Sequence, residues 1–280
     1  MAYNNFKAKI WANEIMTDLT RNLVFGADCV TKYSGSITNK GDTVRIPGVA
    51  KPTITSFAAN QKVTLSSPEE VADTSVSVVA DHVETFNFGV DDIDQAQGAD
   101  GLVRVLTTEA SEEMANKIDA FLGGLSANKQ AVKLYSAGTT PWTISTSNVL
   151  TVIDTALEKL YENDVNPSTT ITITVSPKFF TIFRQAYIKL DTDNSAMLKN
   201  GKVAQYGNAI IRMSNNVYKD SNSYDFIQVK TQRALALVKS TPHVEPYRVE
   251  SQFTDAVKGF VIYGGQIIRP KEMVNIVATY

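Results

Sequence analysis

The stretch from Tyr33 to Phe88 constrains this chain most, because it is long, strand-like and has too little apolar side chain to build a core. Turn residues (Ser34, Gly35, Asn39, Gly41, Pro47, Gly48, Pro52) separate short runs rich in Thr, Val and Ile. Thr43-Val44-Arg45-Ile46, Val63-Thr64-Leu65, Ser75-Val76-Ser77-Val78 and Val83–Phe88 alternate with the period of two expected of strands. The residues between them are polar, with Glu69 and Glu70 inside Ser66–Asp73. The pattern predicts a long two-stranded excursion. An isolated two-stranded ribbon is marginal in water, so it must lie on its own domain or on another chain.

The flanking segments are of another kind. Trp11, Ile15, Leu19 and Leu23 recur every four residues, with Glu14, Asp18 and Arg21 elsewhere, which predicts an amphipathic helix ending near Phe25-Gly26. Its apolar stripe fits either an ordinary core helix or an arm packed on a neighbouring subunit. After Asp91-Asp92-Ile93-Asp94 and Gly98/Gly101, apolar residues fall at Val103, Leu106, Ala110, Met114, Ile118, Phe121, Leu122 and Leu125. Those steps of three and four predict a helix of roughly 25 residues, about 38 Å long. Glu109, Glu112, Glu113, Lys117 and Asp119 lie mostly off its stripe.

From Pro141 to Ser240 helices and strands interleave. Val149, Ile153, Leu157 and Leu160 mark a helix stopped by Asp164-Val165-Asn166-Pro167. Ile171–Val175 is a strand, and Ser176-Pro177 supplies a cap and a first-turn proline for a helix through Phe179, Phe183 and Tyr187. Further strands are expected at Ala209–Met213, Phe226–Val229 and Ala234–Val238, giving a small α/β module. Val244–Val249, Ala256–Ile268 and Met273–Ala278 look extended, with Gly264-Gly265 and Arg269-Pro270 as breaks.

Little in the chain asks for catalysis. Phosphate-cradling loops and the glycine-flanked serine elbow are absent. Cys29 is the only cysteine, so a cysteine-rich metal site and an internal disulfide are excluded, and His82 and His243, the only histidines, would need distant carboxylates to hold a metal. Asp91, Asp92 and Asp94 are candidate ligands for a hard cation, although acids before a helix equally complement its dipole. No cofactor is expected. The formal net charge of −2 over 280 residues argues against grip on nucleic acid through phosphate neutralisation. The N-terminus has no continuous apolar run of signal-peptide type, and no segment is apolar enough to span a bilayer.

The order of elements and several local runs carry a resemblance. The runs are Trp11–Ile15, Asn22–Gly26, Tyr33–Ile37, Gly41–Pro47 and Phe86–Gln97. The whole chain resembles the major capsid (coat) proteins of tailed bacteriophages, which have the Hong Kong 97-type fold. The resemblance implies an α+β chain with an N-terminal arm at 1–32, an E-loop β-ribbon at 33–85, a P-domain with the long spine helix at 86–140 and 241–280, and an α/β A-domain at 141–240. It implies a non-enzymatic subunit that self-assembles, as hexamers and pentamers, into an icosahedral shell around double-stranded DNA. Packaged DNA would face the shell interior without specific binding. No membrane is involved, and the shell would assemble in the host bacterial cytoplasm. The arm helix starts close to Met1, which leads us to expect a separate scaffolding protein, or none, rather than a built-in one, and a portal. Block 141–240 is too short for the inserted domain that some relatives carry. Inter-subunit contacts are expected at Trp11, Ile15 and Leu19 of the arm and at Arg45, Lys51, Lys62, Glu69 and Glu70 of the ribbon. No lysine cross-link is carried over, since ribbon lysines also serve as solvated edge guards. Two alternatives stand beside this reading: another virion or encapsulin-like shell subunit, and an enzyme with a carboxylate-bound metal.

Overall fold

The computed structural model describes residues 23–34, 37–48, 54–57, 59–62, 64, 67, 75–91, 102–188, 205–240, 242–249 and 254–280. The expected arm helix before Leu23 and the strand residues Val63 and Leu65 lie outside the described residues.

Thirteen strands and three α-helices are described: β1 (Thr43–Ile46), β2 (Val76–Val79), β3 (His82–Asp91), α1 (Leu102–Gly124), β4 (Val132–Leu134), β5 (Trp142–Thr143), α2 (Val149–Glu162), β6 (Ile171–Val175), α3 (Pro177–Ile188), β7 (Gln205–Tyr206), β8 (Ala209–Met213), β9 (Asp225–Thr231), β10 (Leu235–Lys239), β11 (His243–Arg248), β12 (Thr254–Ile267) and β13 (Met273–Thr279). They form a two-stranded sheet, a four-stranded sheet and a seven-stranded sheet.

The four-stranded sheet is built on β12. One edge of this 14-residue strand pairs with β3 (Thr254↔Asp91 through Tyr263↔His82), and the other pairs with β11 and then β10. Period-two alternation divides its faces. Val257, Val261 and Tyr263, with Phe86 and Phe88 beside them, pack on Met114, Ala115, Ile118 and Leu122 of α1. Phe260, Ile262 and Val83 on the opposite face pack with Ile46 and Val78 of β1 and β2. The sheet is thus a wall between the long helix and the ribbon.

The seven-stranded sheet runs β4-β13-β9-β6-β8-β7, with β5 also on β13. Ile171, Ile173, Val175, Ile227, Val229, Val274 and Ile276 turn one way, onto Val149, Val152, Ile153, Ala156 and Leu160 of α2 and Phe179 and Phe183 of α3. Ser176 caps α3, its Oγ accepting the N–H of Phe179 at 3.4 Å ahead of Pro177. The other face is polar and buried: Thr172, Thr174, Gln228, Lys230 and Asn275 are all at most 1% exposed. Buried polar side chains need partners. Gln228 donates to Leu122 O (3.0 Å) and to Ser126 Oγ (2.6 Å), where α1 ends, and Asn275 donates to Ser126 O (3.3 Å).

Three strand placements depart from the sequence expectation. β12 runs unbroken through Gly264-Gly265, expected as a break, because a Cβ at Gly264 would run into the carbonyl of Val79. Glycine here permits close approach rather than ending the strand. β10, inside block 141–240, pairs with β12 of the four-stranded sheet, and β13, near the C-terminus, pairs with β9 of the seven-stranded one. Downstream of α1, which itself carries the chain from the four-stranded to the seven-stranded sheet, the chain crosses between these sheets twice, at 231–235 and at 267–273. Thr231 Oγ1 donates to Glu272 at 2.5 Å across the two crossings. Hydrophobic period identifies a strand but not the sheet it joins.

Candidate functional site

The histidines belong to packing. His82 lies against the rings of Phe121 (4.3 Å between centroids) and Tyr263 (5.5 Å), and His243 against Phe260 (5.3 Å), with Nε2 2.8 Å from Glu245. Among the described residues no three His, Cys, Asp or Glu side chains converge to hold a metal. Asp92 and Asp94, and the side chain of Asp91, lie outside the described residues. Among the described residues no helix is long and apolar enough to cross a membrane.

The arrangement points instead to surfaces. β1 and β2 pair antiparallel, Thr43↔Val79 through Ile46↔Val76. Ile46 and Val78 turn inward and are buried, while Thr43, Arg45, Ser77 and Val79 face out. The root is pinned by backbone bonds from Gly41 N to Ala80 O (2.8 Å) and Ala80 N to Asp42 O (3.0 Å). The Asp42 carboxylate accepts the N–H groups of Asn39 (2.7 Å) and Thr38 (2.8 Å), which hold it below the usual carboxylate range. Beyond the root, Ile54 is 87% exposed, a large apolar side chain left to solvent.

A second cluster holds the segment 23–30. Asp119 of α1, 2% exposed, accepts the N–H groups of Val24 (2.6 Å), Phe25 (3.1 Å) and Gly26 (3.1 Å). Burial pushes its carboxyl up, and those three donors pull it back. Lys230 of β9, wholly buried, donates to Asp28 O at 2.8 Å and to Phe25 O at 3.4 Å. Arg212 of β8 pairs with the Asp28 carboxylate at 2.8 Å. Val30 then joins the edge of β10, its N–H donating to Leu235 O at 2.9 Å and its carbonyl accepting from Leu237 at 3.0 Å. Cys29 sits in this clasp, and burial pushes its thiol up while Lys230 pulls it down.

Where the ribbon root meets the second crossing there is a notch of about 540 Å³. Val30, Ile46, Val76 and Ile268 give it an apolar lining, and Lys32, Arg233 and Arg269 stand around it.

Of the expected contact residues, Arg45 and Lys62 are described, and both are exposed. Arg45 donates from Nε to Ser75 Oγ at 2.6 Å, on the outward face of the ribbon. Trp11, Ile15, Leu19, Lys51, Glu69 and Glu70 lie outside the described residues. The sequence reading missed the clasp and the notch. Asp119 passed for one more off-stripe acid, and Lys32 precedes Arg233 and Arg269, the other two cations of the notch, by about 200 residues or more.

No family model matches the sequence, and no curated protein is similar to it at a significant level. Solved structures do match. A chain from Mycobacterium phage Che8 is 25% identical with a TM-score of 0.70, covering 90% of each chain. The capsid structure of the cyanophage P-SCSP1u gives a TM-score of 0.71 at 13% identity, covering 92% of this chain and 88% of that one. A virus-like particle from Pyrococcus furiosus, 10% identical, gives 0.60 over 96% and 99%. These matches cover roughly nine-tenths or more of this chain, and the chain has the α+β Hong Kong 97-type fold of tailed-phage major capsid proteins.

Proposed function

We infer that this chain is a structural subunit that self-assembles into the icosahedral capsid of a tailed phage, around its double-stranded DNA. The observation that carries this is the near-complete structural match to phage shells, at 25% identity in one case. The ribbon supplies the physical logic. Its root is seated on a sheet, but Ile54 farther out is bare, and a limb of that kind becomes ordered by lying across a neighbour. Many modest contacts then add around a closed symmetric shell.

In this reading residues 1–32 form the arm, 33–85 the E-loop and 86–140 with 241–280 the P-domain. Residues 141–240 form the A-domain, with β10 and β13 exchanged between the last two at the crossings. Trp11, Ile15 and Leu19, and Arg45, Lys51, Lys62, Glu69 and Glu70, touch neighbouring copies in hexamers and pentamers. A separate scaffolding protein guides closure and a portal occupies one vertex. DNA lies inside without specific binding, in keeping with the net charge of −2, and assembly takes place in the bacterial cytoplasm. The chain's work is contact rather than catalysis.

The test is velocity sedimentation of the purified protein over a range of concentrations, with and without the products of neighbouring phage genes. Fast-sedimenting closed particles are expected. A monomer that never associates under any of these conditions would overturn the reading.

A further inference from the structure

Glu109, Glu112 and Glu113 stand exposed on α1 and make no ion pair among the described residues. Glu109 lies three residues before Glu112 and four before Glu113, spacings at which like charges on a helix repel at a cost of a few tenths of a kcal/mol per pair. A monomer gains nothing from this stripe. At the ribbon root the opposite imbalance occurs. Lys32, Arg233 and Arg269 stand around the 540 Å³ notch. Among the described residues one carboxylate, Glu272, answers them: it pairs with Arg269 at 2.7 Å and also feels the charge of Arg233, while the Lys32 ammonium lies 4.9 Å over the Tyr33 ring.

These two surfaces cannot meet within one copy. α1 packs on one face of the four-stranded sheet, and the ribbon that walls the notch packs on the other. The helix also leads away. Leu122 lies beside Gly265, near the notch end of β12, whereas Glu113 and Glu109 are nine and thirteen residues back along α1, about 14 and 20 Å distant. We propose that the acidic stripe Glu109–Glu113 of one copy docks at the Lys32/Arg233/Arg269 notch of a second copy, as a head-to-tail contact. Each copy offers one acidic and one basic surface, so the contact is heterologous and propagates around a ring. Complementary charge fixes which neighbour binds and in what register, and it speeds encounter more than it adds affinity. The apolar lining supplies burial around the ion pairs.

The inference rests on the shell reading, and charge reversal separates the two. Three full-length variants are compared with the wild type by particle yield on sedimentation: Glu112→Lys/Glu113→Lys, Lys32→Glu/Arg233→Glu, and all four changes in one chain. Circular dichroism checks that each variant folds. Each reversed pair is expected to lower particle yield at least about tenfold, because a weakened contact recurs around the shell. The four-change chain, in which both surfaces are exchanged, is expected to recover most of it. If the wild type forms particles and each reversed pair does so equally well, or the four-change chain stays as defective as its parents, this contact is refuted and the shell reading stands. If the wild type forms no particle with its helper proteins, both fall.

Discussion

Asp119 and Lys230 hold the base of the N-terminal segment, and each does so through main-chain groups. Three donors and a buried ammonium make the Asp119 carboxylate worth its desolvation, whereas removing it strands those donors away from water. Asp119→Ala is expected to cost about 3 kcal/mol or more, read as a lower melting temperature and a lower denaturant midpoint. Loss of less than about 1 kcal/mol would mean that water replaces the carboxylate. Nothing in the sequence marks Asp119. It sits among Glu109, Glu112, Glu113 and Lys117, all of which are exposed, and its partners are more than 90 residues earlier in the chain. Helical periodicity reports which way a residue points only to within a turn, and it is blind to distant main chain.

Most of the strands and helices were legible, because each carries its own period; β4, β5 and β7, two or three residues long, are too short to show one and were missed. The apolar face of α1, the inward residues of β1 and β2, and the cap at Ser176 all follow from local sequence. How the elements approach one another was less so. Gly264 reads as a strand break in isolation, yet it is the point at which the ribbon root rests directly on β12. Gly264→Ala is expected to lift β2 from the sheet, costing of order 1–3 kcal/mol, and to change the angle at which the ribbon leaves the subunit. Hydrogen exchange at Val78–Ala80 should speed up while that of β6 and β9 is unchanged. Unaltered exchange at Val78–Ala80 would show that the root does not bear on Gly264. The polar face of the seven-stranded sheet was also hidden, since β-branched Thr172 and Thr174 satisfy a strand pattern whether they meet Leu or Gln228.

Across the whole molecule, order of elements carried more information than any motif. An arm, a ribbon, a long helix, an α/β block and returning strands in that sequence suffice to place the fold, while the exchange of β10 and β13 between sheets needs three-dimensional pairing to see. Contacts between copies are the least legible part, because a surface residue that touches a neighbour obeys the same composition rules as one that touches water. The account therefore stands on whether the thin parts of the chain span copies. A cryo-electron-microscopy reconstruction of the purified particles tests this most directly. The account predicts a closed icosahedral shell in which the 33–85 ribbon of each subunit crosses onto an adjacent one. A shell in which every ribbon lies back on its own subunit, or a preparation holding only monomers, would contradict it.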